Sequence, residues 1–354
     1  MENSRDKKII LAIILLFSFF IFLTLFGLYY SGLQPVSSVK EGKFKIIEIK
    51  KGENIFQIAK NLKKQGIIRS SIVFIIEAIR TGVYKHIKAG EYAFYSNQNI
   101  KEILQILKEG KIYLRKIVIP EGATLWQIAK ILEKNKICKA EEFLKLAEDE
   151  ETAKKMGVPT PTLEGFLFPD TYFFAKNTPP ETVIKVMVSN FWKNWEKFEP
   201  IAKEKNLSLK EVIILASIVE REALYSFEKP IIAGVYWNRI RKGMRLQADP
   251  TVNYALKCFR RLTYKDYYSV RSPYNTYLHY GLPPTPICNP GKESIKAVLF
   301  PKKVPYFYFV AKPDGTHYFS RTYKEHLKAI KKIKRLKLLQ SKLQKEKEKK
   351  DENI

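Results

Sequence analysis

The sequence predicts an α+β protein that is attached to a membrane by a single N-terminal transmembrane helix. Three observations support this prediction: an uncharged apolar run at 9–30, a strand-turn-helix pattern that occurs twice, and an apolar run at 212–219 that is typical of a buried helix. The chain is therefore divided into a short tail, the membrane helix, two related α+β modules, a larger mixed α+β domain and a basic tail, at 1–8, 9–30, 40–115, 116–200, 201–330 and 331–354.

The composition limits the classes of partner. The chain has 354 residues, of which 45% are hydrophobic, so two or three folded units with real cores are expected. Its net charge of +27 indicates a polyanionic neighbour, which could be nucleic acid, an anionic lipid surface or an acidic cell-wall polymer. Its three cysteines and four histidines are scattered, so the sequence predicts neither a disulfide scaffold, nor a metal site, nor a cofactor.

The apolar run at 9–30 is long enough to span the hydrocarbon core of a bilayer. Arg5, Lys7 and Lys8 precede this run, whereas 31–39 carries no charge, so the positive-inside rule places the N-terminus in the cytoplasm and the body outside. A cleaved signal peptide is the alternative, and it would export the body equally. Export of the body argues against nucleic acid as the polyanionic partner.

The two modules are recognised by an internal repeat, because 47–62 resembles 118–132. Each copy alternates apolar residues, turns at a glycine and continues with apolar residues at helical spacing, with Asn54 or Thr124 placed as the helix cap. The predicted order in each module is strand, helix, helix, strand, helix. In the second module the later strand is predicted at 166–174.

Small units of this kind resemble LysM modules, which bind the amino-sugar backbone of peptidoglycan and chitin. The alternative is an α+β packing unit without a ligand. In that interpretation Phe56, Ile58, Trp126 and Ile128 are core residues rather than platforms for sugar rings.

A glutamate ends the predicted buried helix. Ser208 and Glu211 form a capping box that fixes its start, and 212–219 is apolar around its whole circumference. Glu220 then follows apolar side chains and lies near the negative end of the helix dipole, and both effects favour a protonated carboxyl group. That is the environment of a general acid for glycosidic cleavage. Alternatively, Glu220 marks where the helix meets solvent and pairs with a basic neighbour such as Arg221.

The loops after this helix combine rigid turns with hydroxyl, amide and aromatic groups, which is the mixture that sugar binding needs. Neither a phosphate-binding P-loop, nor a G-x-S-x-G nucleophile elbow, nor an H-E-x-x-H metal motif is found in the sequence. Glu222 lies on a different helix face from Glu220, which makes it a poor second member of a catalytic pair and favours a structural role.

Several motifs together resemble the endolytic murein transglycosylases, the MltG or YceG-like family. They are L-A-S-I-V-E-R-E at 215–222, G-M-R-L-Q-A-D-P-T-V at 243–252, S-P-Y-N-T-Y at 272–277, G-L-P-P-x-P-I at 281–287 and L-E-G-x-x-F-P-D-T-Y at 163–172. Their order and spacing make the resemblance specific. It covers essentially the whole chain, because the family also has an N-terminal membrane helix and a LysM-like region.

The resemblance implies a lyase that cuts the MurNAc-GlcNAc bond within nascent glycan strands, leaves 1,6-anhydro-MurNAc ends and so terminates strand elongation. The family's essential glutamate carries over to Glu220, which acts first as an acid toward the glycosidic oxygen and then as a base toward the sugar's own primary hydroxyl. Such an intramolecular attack needs neither activated water nor a second carboxylate.

The matched motifs also imply substrate-binding residues, which are Gln247, Asp249, Tyr274, Asn275, Thr276 and His317. The implied partners are peptidoglycan strands, the membrane and a peptidoglycan synthase, with the protein in the inner membrane of a bacterium and its body periplasmic. Three alternatives remain at this point: a glycoside hydrolase in which Asp249 is the base or nucleophile, a non-catalytic wall-binding scaffold, and a nucleic-acid-binding protein. The tail at 331–354 is predicted either to bind lipid headgroups or to be a solvated charged helix.

Overall fold

The computed structural model describes residues 2–38 and 44–336. Its helices and short strands confirm the mixed α+β class with an apolar N-terminal helix. The chain forms two compact units, Met1–Arg115 and Lys116–Ile354. The predicted domain limits stay predictions. A helix covers 323–336, and the rest of the predicted basic tail, 337–354, lies outside the described residues.

The first unit begins with the apolar helix and continues as a small sheet with helices. Its elements are α1 Glu2–Leu33, β1 Phe44–Ile49, α2 Ile55–Lys64, α3 Ser71–Arg80, β2 Gly90–Tyr95 and α4 Ile100–Glu109. Within α1, Lys7–Leu33 has a mean hydropathy of 3.1 and is long and apolar enough to cross a membrane. β1 pairs antiparallel with β2, with Ile47 opposite Tyr92.

The end of α1 packs on α3 of the same unit. Tyr29 donates a hydrogen bond to the buried carboxylate of Glu77, which also binds the guanidinium of Arg80 at 2.7 Å. Gly32 approaches α3 so closely that a Cβ there would lie 2.6 Å from Cγ2 of Val73. The apolar helix is therefore joined to the first module by a buried polar contact and by close packing.

The second unit contains all the remaining elements. They are β3 Arg115–Val118, α5 Leu125–Lys134, α6 Ala140–Ala147, α7 Glu150–Lys155, β4 Thr171–Phe174, α8 Pro180–Trp195, α9 Glu199–Glu204, α10 Leu209–Glu222, α11 Lys229–Arg241, α12 Asp249–Ala255, α13 Tyr264–Ser269, α14 Lys292–Leu299, β5 Tyr308–Ala311 and β6 His317–Ser320. β3 pairs with β4, and β5 pairs antiparallel with β6. A continuous hydrophobic core runs from β3 to α14.

The two modules have their elements in the predicted order, and the second adds α7. Asn54 and Thr124 cap their helices as predicted, each within a full capping box. The strand predicted at 166–174 is too long, because only Thr171–Phe174 is extended. The backbone N–H of Leu167 instead donates to Oδ1 of Asn289 at 2.8 Å. The likeness to LysM modules stays a prediction.

The residues that were predicted to lie in the cores of the two modules differ in burial, depending on the helix face on which they lie. Ile58 and Ile128 are fully buried, whereas Phe56 is 63% exposed, so its assignment to the core is wrong. Phe56 precedes Ile58 by two positions, which is more than half a turn around the helix, and it therefore faces solvent. Trp126 is half-buried and packs on Tyr254, with ring centroids 5.1 Å apart.

The helix α10 has the predicted capping box of Ser208 and Glu211, and 212–219 is buried throughout. The hydroxyl of Ser217 accepts a hydrogen bond from the N–H of Ile287 at 3.0 Å. This contact fixes the loop that precedes α14 against the middle of α10.

A second buried polar contact holds the same loop to the start of α5. Glu164 is completely buried and accepts hydrogen bonds from Asn289 Nδ2 at 3.0 Å, Leu125 N–H at 3.2 Å and the Tyr254 hydroxyl at 3.2 Å. Burial raises the pKa of Glu164 to about 8. The group therefore retains its proton at neutral pH in the folded protein.

The elevated pKa of Glu164 predicts a loss of stability as the pH rises. Between about pH 5 and 8 the unfolded chain releases this proton while the folded chain keeps it, because an unperturbed glutamate ionises near 4.5. The free energy of unfolding should therefore fall by up to about 1.4 kcal/mol per pH unit from this group. The variant Glu164→Gln should lack that slope.

The measurement is urea unfolding of the full chain in detergent, followed by tryptophan fluorescence, because all four tryptophans lie in the second unit. The exposed Glu204→Gln variant is the matched control and should keep the wild-type slope. Parallel pH curves for wild type and Glu164→Gln would contradict the assignment.

Candidate active site

Glu220 lies in the last turn of α10, and three hydrogen-bond donors among the described residues meet its carboxylate. Lys229 Nζ lies 2.9 Å from Oε1, while the N–H of Gly291 at 2.9 Å and the hydroxyl of Ser294 at 2.7 Å both donate to Oε2. The side chain is only 8% exposed. The sequence predicted apolar surroundings for this group, and the structure shows in addition three polar contacts, which come from the starts of α11 and α14. These donors hold the carboxylate as a hydrogen-bond acceptor.

Lys229 is the first residue of α11, and its side chain is 4% exposed. The preceding residue, Glu228, is buried and accepts the N–H of His317 at 2.9 Å and lies 2.8 Å from its Nδ1. The contacts with β6 thus hold Glu228 in place. Glu228 directly precedes Lys229, whose side chain contacts Glu220. The basic neighbour proposed from the sequence, Arg221, instead places its guanidinium 3.8 Å from the ring centroid of Phe259.

A second carboxylate contacts the same ammonium group. Glu121 lies in the turn between β3 and α5, with Oε2 3.6 Å from Lys229 Nζ, and its side chain is 51% exposed. Gly291 packs so closely that a Cβ there would lie 1.9 Å from Oε1 of Glu121. Burial and the charge of Glu220 raise the pKa of Glu121, and the charge of Lys229 opposes them. Glu121 and Glu220 therefore share one buried cation.

Asp249 lies near Glu222, and it is not among the described residues that form hydrogen bonds or ion pairs with Glu220. It accepts a hydrogen bond from the hydroxyl of Tyr277 at 2.5 Å, and Glu222 accepts one from Tyr236 at 2.6 Å. Burial raises the pKa of Glu222 to about 7, and the charge of Asp249 adds to this effect. Both side chains line a pocket of about 360 Å³, together with Arg221, Pro250, Asn253, Phe259, Arg260 and Arg261.

The other residues predicted to bind substrate differ in exposure. The Asn275 side chain is buried and donates to two backbone carbonyls, and the buried Thr276 hydroxyl accepts the N–H of Ala248 at 2.9 Å. His317 is buried against β5 and Glu228. Gln247 is exposed, and Tyr274 is half-buried beside Tyr254. The role of each in a glycan cleft stays a prediction.

Three residues of the site were not predicted from the sequence, namely Lys229, Ser294 and Glu121. Ser294 is 74 residues from Glu220 in the chain, and Lys229, nine residues away, already belongs to another helix, so no periodic pattern links either of them to Glu220. One sequence feature does distinguish Glu121. The internal repeat aligns it with Lys51, so the two copies carry opposite charges at this position.

The chain is similar to proteins of a known family. The profile of the YceG-like family matches residues 47–332. An endolytic murein transglycosylase of Bacillus subtilis (strain 168) is 37% identical over 317 residues, covering 84% of this chain and 86% of that protein. One of Streptococcus pneumoniae serotype 2 is 29% identical and is matched over 63% of its own length and 87% of this chain.

A solved structure agrees with the sequence comparisons. The crystal structure of a yceG-like protein of Listeria monocytogenes is 35% identical, with a TM-score of 0.57. The match covers 81% of this chain and 99% of the Listeria chain. The profile and the relatives together cover both units, and the chain therefore belongs to the YceG-like family.

Proposed function

We propose that the protein is a lytic transglycosylase that cleaves the MurNAc-GlcNAc bond within nascent peptidoglycan strands, forms 1,6-anhydro-MurNAc ends and terminates strand elongation. The observation that carries this proposal is the carboxylate of Glu220, which Lys229, Gly291 and Ser294 hold as a hydrogen-bond acceptor at the end of α10. The names of the relatives support murein as the substrate.

In this reaction Glu220 removes the proton from the primary hydroxyl of the muramic residue. The resulting oxygen attacks the anomeric carbon of the same sugar, the bond to the next sugar breaks, and the leaving oxygen takes up a proton. Because nucleophile and electrophile belong to one sugar ring, the attack has the entropic advantage of an intramolecular step. The family resemblance implies that Glu220 both donates the first proton and accepts the second.

A glycoside hydrolase is the second candidate, and the pair of Glu222 and Asp249 favours it. An acid with a pKa of about 7 beside a second carboxylate in an open pocket is the arrangement that a hydrolase would use. The reaction products separate the two candidates, since a lyase leaves anhydro-muramyl ends and a hydrolase leaves reducing ends.

The variant Glu220→Gln should lower the rate of strand cleavage by at least about 10²-fold, because an amide cannot accept the hydroxyl proton. The full chain in detergent is incubated with purified peptidoglycan, and the new chain ends are identified by mass spectrometry. Wild type should yield anhydro-muramyl ends, and the exposed Glu293→Gln variant should match it. Normal digestion by a folded Glu220→Gln variant, or reducing ends from wild type, would refute the proposal.

We also propose that α1 crosses the inner membrane once, with the N-terminus in the cytoplasm and the parts of both units that follow α1 outside, where a peptidoglycan synthase is a candidate partner. The charges of Arg5, Lys7 and Lys8 before the apolar segment support this orientation.

The orientation predicts that alkaline phosphatase fused to the C-terminus is active in intact cells, whereas a green fluorescent protein fusion exported by the same route is dark. Replacing Arg5, Lys7 and Lys8 by glutamate should lower the phosphatase signal. A bright fluorescent fusion with an inactive phosphatase fusion would place the body in the cytoplasm and contradict the proposal.

A further inference from the structure

We propose that α3 is a second membrane contact of the first unit, through an exposed row of isoleucines that inserts into the outer interface of the bilayer. The row consists of Ile72, Ile76 and Ile79, and it contacts the phospholipids that surround the end of α1. This inference rests on the proposed membrane span of α1. It is independent of the reaction proposed for the second unit.

The helix α3 has no continuous polar face. Its sequence, SIVFIIEAIR, contains two charged residues, of which Glu77 is buried and only Arg80 is exposed. One side of the helix packs on the module core and on α1, whereas the isoleucine row, at positions i, i+4 and i+7, is 70%, 45% and 52% exposed. A helix that is apolar around most of its circumference is normally covered on all sides, so this row needs an apolar neighbour.

The contacts between α1 and α3 show that the two helices run in opposite directions. Tyr29 donates a hydrogen bond to Glu77, and three residues later in α1 Gly32 approaches Val73, which lies earlier in α3. The start of α3 therefore lies beside the end of α1, and its C-terminal end points back toward the bilayer. The last residue of the row lies about 10 Å farther along the helix axis than the first, because a helix rises about 1.5 Å per residue.

The length of the apolar segment determines the depth of this contact. A hydrocarbon core about 30 Å thick takes about 20 helical residues. Counted from Ile9, which follows the last charged residue, this core ends near Leu28. Tyr29 then lies at the interface, where tyrosine is enriched in membrane proteins. Glu77 lies at the same level, and Ile79 therefore reaches the boundary between headgroups and acyl chains.

Basic side chains border the membrane-facing end of the row. Arg80 is exposed, and so are Lys85 and Lys88 in the segment that follows α3. Tyr84, also exposed, has the ammonium of Lys85 5.7 Å from its ring centroid. Apolar side chains bordered by cations and an aromatic ring are typical of a helix that lies in a membrane interface and attracts anionic headgroups. Helices that pack on one another within membranes instead favour small residues at the contact, which this row lacks.

The second contact limits the motion of the first module. A module attached only through α1 could turn with that helix about the membrane normal and tilt away from the surface. Insertion of the row beside α1 holds the module against the bilayer and fixes which of its faces is turned toward the lipid.

The test measures the depth of nitroxide labels on the full chain in vesicles of phosphatidylethanolamine and phosphatidylglycerol. Each member of the row is replaced by cysteine in turn, in a chain whose three native cysteines are changed to alanine. Collisions with oxygen, which concentrates in the bilayer, are compared with collisions with a nickel chelate, which stays in water. The ratio should rise several-fold from Ile72→Cys to Ile79→Cys, with Ile76→Cys between them. Ile72→Cys is the matched control, because it has the same residue type on the same helix face.

A label on α1 separates this inference from the membrane span on which it rests. Leu25 is exposed within the apolar segment, and the label of Leu25→Cys should be in lipid. If it is, and the labels at Ile76 and Ile79 are as accessible to nickel as the label at Ile72, the inference alone is overturned. Shielding of the row from both reagents would mean that protein covers it, for example a second copy of the chain, and would also overturn the inference. A water-exposed label at Leu25 would refute the membrane span itself.

Discussion

The buried ion pair between Lys229 and Glu220 is the interaction on which the site depends. Removing two charges from water costs several kcal/mol for each ion, and their attraction offsets this only when the remaining hydrogen-bonding positions are also filled. Gly291 and Ser294 fill the positions on Glu220, and Glu121 provides a second anion near Lys229. Loss of one partner would leave the other charge buried and unpaired, which costs about 3 to 5 kcal/mol.

The ends of two helices, α10 and α14, have opposite electrostatic effects on the carboxylate of this ion pair. Glu220 lies in the last turn of α10, where the helix dipole disfavours a negative charge. Gly291 precedes α14 and Ser294 lies in its first turn, so the same carboxylate also lies at the positive end of a second helix and accepts its donors. The contacts of α14 and the charge of Lys229 therefore oppose the effect of α10. These contacts could not be predicted from α10 alone.

The features that were predicted correctly from the sequence are those that depend on residues close to one another in the chain. The apolar helix, the capping boxes of Asn54, Thr124 and Ser208 and the burial of 212–219 depend on neighbours one or two turns away. Phe56 was misassigned because the exposed face of a short helix depends on what packs against the other face.

The partners of the site could not be predicted, because each contact joins different elements of the chain, and all but the Lys229–Glu220 contact join distant parts of it. Glu164 meets Asn289 across 125 residues, and Glu220 meets Ser294 across 74. Such contacts bring a turn, a loop and two helix ends together, and no local pattern records their distances. The motif residues themselves were recognisable, but the sequence did not reveal that Asn275 and Thr276 are buried within their loop.

The hydrogen bonds of Glu220 also determine where a substrate hydroxyl can bind. Oε2 already accepts two hydrogen bonds, whereas Oε1 accepts one, from Lys229, and so keeps a free lone pair. The hydroxyl must therefore approach beside Lys229, on the side where Glu121 lies. The fixed ammonium of Lys229 offsets the negative charge of the carboxylate when a polymer excludes water from the site, and the hydrogen bonds to Oε2 keep the carboxylate in place during the transfer.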